Sequence, residues 1–200
     1  MRNTTLWAAA MLLATTSLPA GAADATKPDI SRASMTAHSC AGCHGVDGSS
    51  VGPSIPSIAA MEEDRFIDAM LDYRRGIRHS TIMTRIAKGY SDAEIRGMAR
   101  FFADQELVRR SQKHDPIEAK LGARIHMESC NQCHQRGGQS PGRGGYLAGQ
   151  WMPYLAFTLE DYLSGQRPVR KKMMRKLHSV IAEYGEDGVE ALIHFYGSQN

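Results

Sequence analysis

Two five-residue strings constrain this chain more than any other feature: Cys40-Ala-Gly-Cys43-His44 and, 90 positions later, Cys130-Asn-Gln-Cys133-His134. Two thiols three residues apart share one side of a helical turn, and the histidine follows at once. This is the haem c attachment pattern, in which the thiols bond the porphyrin vinyl groups and the histidine turns under the ring to bind iron. Two covalently bound haem c groups would consume all four cysteines. A four-cysteine zinc ribbon also uses two Cys-x-x-Cys pairs, but here 86 residues separate them, and that reading leaves His44 and His134 unexplained. A thioredoxin-like redox pair needs a βαβ setting that the flanking residues do not supply. The string Gly142-Arg-Gly-Gly145 follows no strand and fails the spacing of a dinucleotide loop, so it reads as plain loop.

The offset of 90 extends beyond the cysteines. Met83 recurs as Met173, while Ile58-Ala59-Ala60, Tyr73 and Gly76 answer to Leu147-Ala148-Gly149, Tyr162 and Gly165 at an offset of 89. A fixed offset marks an internal repeat. Each copy closes on an amphipathic stripe at i, i+3, i+4, i+7: Ile95, Met98, Ala99 and Phe102 in the first, Val189, Leu192, Ile193 and Tyr196 in the second. Ser91-Asp-Ala-Glu94 has the form of a capping box at the start of the first of these helices. A short helix is expected ahead of each cysteine pair, with Met35 and Ile125 matched five residues before the first thiol. A third is expected around Glu63 to Tyr73 and again around Tyr154 to Leu163. The polar stretch 109–116 has no apolar stripe and reads as a linker. The expectation is an all-α chain of two small domains, 23–108 and 117–200.

A haem iron held by histidine on one side needs its sixth ligand assigned, because methionine, histidine or an open position give different chemistry. From His44 to Met83 is 39 residues, and from His134 to Met173 is also 39. That equality points to Met83 and Met173, against the plain alternative that they fill a core. Met174 stands beside Met173 and leaves the second site open between the two. His79 and His178 lie near the methionines and read as ordinary surface or core histidines. For the free ring nitrogen of His44, the loop Gly52-Pro53-Ser-Ile-Pro56 offers a carbonyl, and the repeat favours Pro56 over Pro53.

Arg2, an apolar run from Leu6 to Leu18, and Ala20-Gly21-Ala22 have the three regions of an export signal, here 1–22, cleaved near Ala22. A run of thirteen residues is too short to cross a bilayer, which takes about 20 apolar ones, so the mature chain is expected in the periplasm and not membrane-spanning. Only 7% of residues are aromatic, modest for filling two cores, and a large apolar cofactor would make up the shortfall. A formal charge of +3 is no nucleic-acid footprint. The basic groups Arg74-Arg75, Arg109-Arg110 and Arg170-Lys-Lys172 read as solvated faces.

The strings Leu147-Ala-Gly-Gln150, Tyr154-Leu155 and Gly165-Gln-Arg167-Pro168 resemble the cytochrome c4 group of carriers, with tandem class I cytochrome c domains. More specifically, Ser50-Val-Gly-Pro53, Pro56-Ser-Ile-Ala59, Ser80-Thr-Ile-Met83-Thr-Arg-Ile-Ala-Lys-Gly-Tyr90, Leu147-Ala-Gly-Gln-Trp151-Met-Pro-Tyr154-Leu155 and Lys171-Lys-Met173 resemble the dihaem cytochrome subunit of flavocytochrome c sulfide dehydrogenase. The resemblance implies one covalent haem per domain, Met83 and Met173 as axial ligands, and an FAD-containing partner subunit that oxidises sulfide. Electrons would pass through this chain to a soluble or membrane-bound acceptor such as another cytochrome c. The chain itself would carry no catalytic residue. Departures at Met174 and in the glycine-rich 137–145 loop fall at the second site. A free-standing c4-type shuttle uses the same two domains, whereas a dihaem peroxidase would need one iron open to substrate.

Overall fold

A computed structural model describes residues 30–140 and 145–199. The expected export signal at 1–22 lies outside them. Among the described residues every regular element is helical. The first half holds α1 (Ile30–His38), α2 (Ala41–His44), α3 (Glu63–Arg75), α4 (Met83–Ala87) and α5 (Asp92–Ala103). The second holds α6 (Pro116–Ile125), a π-helical turn (His126–Cys130), the short turn α7 (Gln135–Gly138), α8 (Met152–Leu163) and α9 (Lys171–Gly197). The main helix packings stay within each half: α1 and α3 against α5, α6 and α8 against α9.

The closing helices organise both cores. In α5 the expected capping box is present: Ser91 accepts from the Glu94 amide, and the Glu94 carboxylate accepts from the Ser91 amide. This start fixes the phase that buries Ile95, Met98, Ala99 and Phe102. Taking each of the three larger side chains out of water is worth about 1.5–3 kcal/mol. Phe66 and Met70 of α3 join the same cluster, with Phe66 stacked on Phe102 at 5.6 Å. In α9 the expected stripe Val189, Leu192 and Tyr196 is buried, but the helix begins upstream, at Lys171. Gly185, at φ 68 and ψ −165, breaks it at the position where the first half has Ser91. One long bent helix thus does the work of α4 and α5.

The repeat is visible in the hydrogen bonds. Gly48 O accepts from Ile58 N and Ala59 N, and Gly138 O accepts from Leu147 N and Ala148 N. Ala60 N then donates to Phe102 O at 2.8 Å, and Gly149 N to Tyr196 O at 2.9 Å. The expected equivalence of Met35 and Ile125 does not hold: Met35 is 75% exposed and Ile125 0%. Ala33 faces Gly97 across α1 and α5, while Gly122 faces Ala191 across α6 and α9, an offset of 89 at the crossing against 90 at the cysteines. The π-helical turn His126–Cys130 absorbs the extra residue. In this register Ala37 matches His126, and both are buried.

The expected linker is no slack tether. Val108 N donates to Ser49 Oγ in the first half, whereas Arg109 Nε donates to Ala148 O and Gln112 Nε2 to Gln150 O in the second. Asp115 caps α6, whose first residue is Pro116, where proline's missing N–H costs nothing. Across the junction the buried Gln150 carboxamide accepts from Ser57 N at 3.1 Å and donates to Ser57 O at 2.8 Å, and Trp151 Nε1 donates to Ser50 O.

Candidate haem sites

Both Cys-x-x-Cys-His strings fold into the same turn. His44 N donates to Cys40 O at 2.9 Å and His134 N to Cys130 O at 3.0 Å; Cys43 N and Cys133 N reach the same carbonyls at 3.2 and 3.1 Å. The turn points both histidines inward, to 9% and 8% exposure, while Cys43 and Cys133 are exposed. All four cysteines are free thiols. Among the described residues no three His, Cys, Asp or Glu side chains gather as a metal cluster, as a zinc ribbon would require.

The histidines are held in the state a metal needs. Burial pushes the His44 pKa down, partly countered by its backbone partner, and burial with the charges of His126 and Arg65 pushes His134 down to about 4. A neutral imidazole is the ligating form. His44 Nδ1 lies 2.8 Å from Pro56 O, the acceptor that the repeat favours, leaving Nε2 for iron. His134 Nδ1 is buried with no hydrogen-bond partner. At the position matching Pro56, Gly145 lies against the Arg65 guanidinium instead.

Met83 opens α4 and borders the first core cluster together with Cys40. Met173 and Met174 lie in the first turn of α9, both half-buried, with Met173 N donating to Arg170 O at 2.9 Å. Successive helical residues point about 100° apart, so one of the two faces a given site. His79 and His178 are exposed, and His79 pairs with Asp161 at 3.4 Å. The free thiols and the inward neutral imidazoles together fit covalent haem.

Two further groups are given no role by the sequence reading. His126 is buried beside the second site, its Nδ1 2.9 Å from the Tyr196 hydroxyl, and only the corrected register, opposite Ala37, marks it. At the junction of the halves, Arg78 lies 4.4 Å over the Tyr73 ring and Arg167 4.9 Å over the Tyr162 ring. Arg78 donates across the junction to the Tyr154 hydroxyl at 3.3 Å, and Arg167 donates to Thr158 Oγ1 at 3.1 Å. Burial alone would raise the Tyr154 hydroxyl, but Arg78 and Arg167 overcome it and bring the pKa down to about 8. The offset of 89 that pairs Tyr73 with Tyr162 also pairs Arg78 with Arg167, a signal available in the repeat.

A family model for cytochrome c matches residues 31–105. The cytochrome subunit of sulfide dehydrogenase from Chlorobaculum tepidum is 40% identical over 104 residues, 50% of this chain and 94% of that one. Cytochrome c4 from Pseudomonas aeruginosa is 30% identical over 138 residues, 64% of this chain and 68% of its own length. The solved structure of reduced recombinant cytochrome c4 from Pseudomonas stutzeri matches with a TM-score of 0.72 at 25% identity, covering 87% of this chain and 100% of that chain.

Proposed function

The chain belongs to the cytochrome c family, and on that premise we propose that it is a periplasmic two-haem electron-transfer subunit, relaying electrons from an FAD-containing sulfide dehydrogenase subunit to an external acceptor such as another cytochrome c. The observation that carries the two-haem reading is the duplicated turn, with the same backbone bonds and the same inward histidine in each half. The 40% identity to a sulfide dehydrogenase cytochrome subunit supports the flavoprotein partner. In this reading residues 1–22 direct export, and domains 23–108 and 117–200, joined by 109–116, each hold one cofactor.

Bound haem supplies a one-electron iron couple. Cys40, Cys43, Cys130 and Cys133 would anchor the cofactors covalently, and His44 and His134 would present neutral nitrogens to the metals. Met83 and Met173 would hold the irons as the chain's further ligands, and a thioether ligand would raise the potential. The chain then carries electrons and makes or breaks no substrate bond itself. Among the described residues no helix is long and apolar enough to cross a membrane.

A second reading, a free-standing shuttle, draws on the longer reach of its match to cytochrome c4 from Stutzerimonas stutzeri, which spans 76% of the chain against 50% for the sulfide dehydrogenase subunit. Purification from the native host with flavin and haem spectra separates the two. Co-purifying flavin with sulfide-dependent haem reduction is the expected result. A fully haem-loaded chain that binds no flavoprotein would overturn the first reading and leave the second.

A further inference from the structure

The two attachment turns share their backbone bonds but not their surroundings. At the offset of 90, Val46 beside His44, and Thr81, Ile82 and Ile86 near Met83, answer to Arg136, Lys171, Lys172 and Lys176, while Arg85 answers to Arg175. Apolar and neutral side chains of the first half are cations in the second. Arg136, Lys171, Lys172, Arg175 and Lys176 are all exposed, as is Cys133. The fold brings the cations of α9 to the second turn. Lys172 Nζ donates to Gln132 Oε1 at 2.8 Å, tying the start of α9 to a residue that lies between the two thiols, and the charge of Lys176 bears on Cys130. Lys172, Arg175 and Lys176 share one face of α9 at i, i+3 and i+4.

Like charges three and four residues apart on a helix repel and weaken it. Among the described residues none of these five cations is in an ion pair, so no carboxylate of the chain itself relieves that repulsion. A patch of one sign steers a partner of the opposite sign into place and lets it go again as salt screens the pair. We propose that the exposed face around Cys133, bearing Arg136, Lys171, Lys172, Arg175 and Lys176, is the docking surface for the external electron acceptor, a redox protein with clustered carboxylates about its own centre. One electron leaves the chain for the acceptor, a ferrous centre becoming ferric, and no proton or bond is exchanged.

The same face of the first half, where Val46 is 71% and Ile82 51% exposed, offers an acidic partner no such grip. The asymmetry therefore assigns the exit of electrons to the second half. An anionic membrane would meet the same charges, but a lipid surface has no use for cations set at a cysteine turn, and that placement favours a redox partner. The inference rests on the electron-relay reading and not on a flavoprotein: it names the chemistry of the acceptor and the half that meets it.

The experiment is stopped-flow oxidation of the reduced, haem-loaded chain by oxidised plastocyanin, a copper protein with clustered carboxylates on its docking face. Wild type is compared with Lys172→Gln/Lys176→Gln, the charge-keeping Lys172→Arg/Lys176→Arg, and Arg75→Gln/Arg96→Gln, which removes two exposed cations of the first half. The wild-type second-order rate constant should fall about tenfold between about 0.01 and 0.15 M salt. In Lys172→Gln/Lys176→Gln it should be about tenfold lower at low salt and converge on wild type at high salt, the mark of lost steering rather than of a changed driving force. The arginine variant should keep the wild-type rate and salt slope, and Arg75→Gln/Arg96→Gln should stay within about a factor of two of wild type. A wild-type rate and slope in Lys172→Gln/Lys176→Gln, or a loss no greater than that of Arg75→Gln/Arg96→Gln, overturns the assignment while leaving the relay reading intact. Unchanged plastocyanin rates in Lys172→Gln/Lys176→Gln, with loss of the chain's flotation on vesicles of phosphatidylcholine and roughly one-third phosphatidylglycerol, would overturn it in favour of anionic lipid. A chain that reduces neither plastocyanin nor ferricyanide overturns the relay reading and this assignment together.

Discussion

His44 Nδ1 lies 2.8 Å from Pro56 O, whereas the matched His134 Nδ1 is buried with no partner and faces the charge of Arg65. A histidine whose free N–H is held by a carbonyl is the more basic ligand and favours the oxidised metal. The two attachment turns, alike in their backbone bonds, therefore differ in this hydrogen bond.

The haem on His44 is accordingly expected at the lower potential. One net hydrogen bond, ~0.5–1.5 kcal/mol, corresponds to a separation of about 20–65 mV for a one-electron couple. Redox titration should resolve two steps, and Met83→His, which exchanges a thioether for an imidazole, should lower the lower step and leave the upper one in place. A shift confined to the upper step would reverse the assignment.

The methionines give a spectroscopic prediction. In the oxidised protein Met83→Leu and Met173→Leu should each remove about half of the red methionine-to-Fe(III) charge-transfer band, and Met174→Leu should leave it whole. Met173 and Met174 are both half-buried on one helical turn, so the preference for Met173 comes from its equal distance to its histidine. Loss of half the band in Met174→Leu, with none in Met173→Leu, would move the ligand by one residue.

What could be read in advance follows from how tightly chemistry ties residue type to spacing. Covalent attachment demands two thiols and a histidine in five residues, so the turns at Cys40 and Cys130 are plain in the sequence, and the burial of His44 and His134 follows from them. The Ser91 cap is similarly local, since its partner stands three residues away. The match of Met35 to Ile125 fails because a π-helical turn adds one residue without changing the residue types around it, and a side-chain pattern carries no sign of that turn until the crossing at Gly122 is seen. The break in α9 is hidden for a related reason: Gly185 interrupts the helix by its dihedral angles while the apolar stripe runs on. The offset of 89 between Arg78 and Arg167 is present in the sequence, but their stacking on Tyr73 and Tyr162 at the junction shows only in the fold.

Gln150 holds the junction through a single residue. Its carboxamide makes two bonds to the backbone of Ser57, and both residues are buried. In Gln150→Leu the Ser57 N–H and C=O lose these partners, at about 1–3 kcal/mol for each group left unsatisfied. The expected result is a junction that opens before either half unfolds, seen as two denaturant transitions where the parent shows one. The spectrum of each folded half should be unchanged. A single transition at the parent midpoint would show that Arg109, Gln112 and Trp151 hold the halves without it.

The crossing glycines test whether each half depends on close helix approach to the same degree. A Cβ at Gly122 would stand 2.0 Å from Ala191 O and 2.5 Å from its carbon, both backbone atoms that cannot swing away, whereas at Gly97 it would meet Ala33 Cβ at 3.2 Å. Gly97→Ala should be close to neutral, because a shift of a few tenths of an ångström is offset by the ~1 kcal/mol that alanine gains over glycine within a helix. Gly122→Ala must part α6 from α9, and should reach or exceed the ~1–3 kcal/mol range of an overpacked core. Since α6 runs through the π-helical turn directly into Cys130, that displacement also moves the second attachment turn. Gly122→Ala is therefore expected to yield chains carrying haem at Cys40 and Cys43 only, read by intact mass. Full loading of Gly122→Ala with unchanged denaturant stability would show that the two crossings tolerate a methyl group alike.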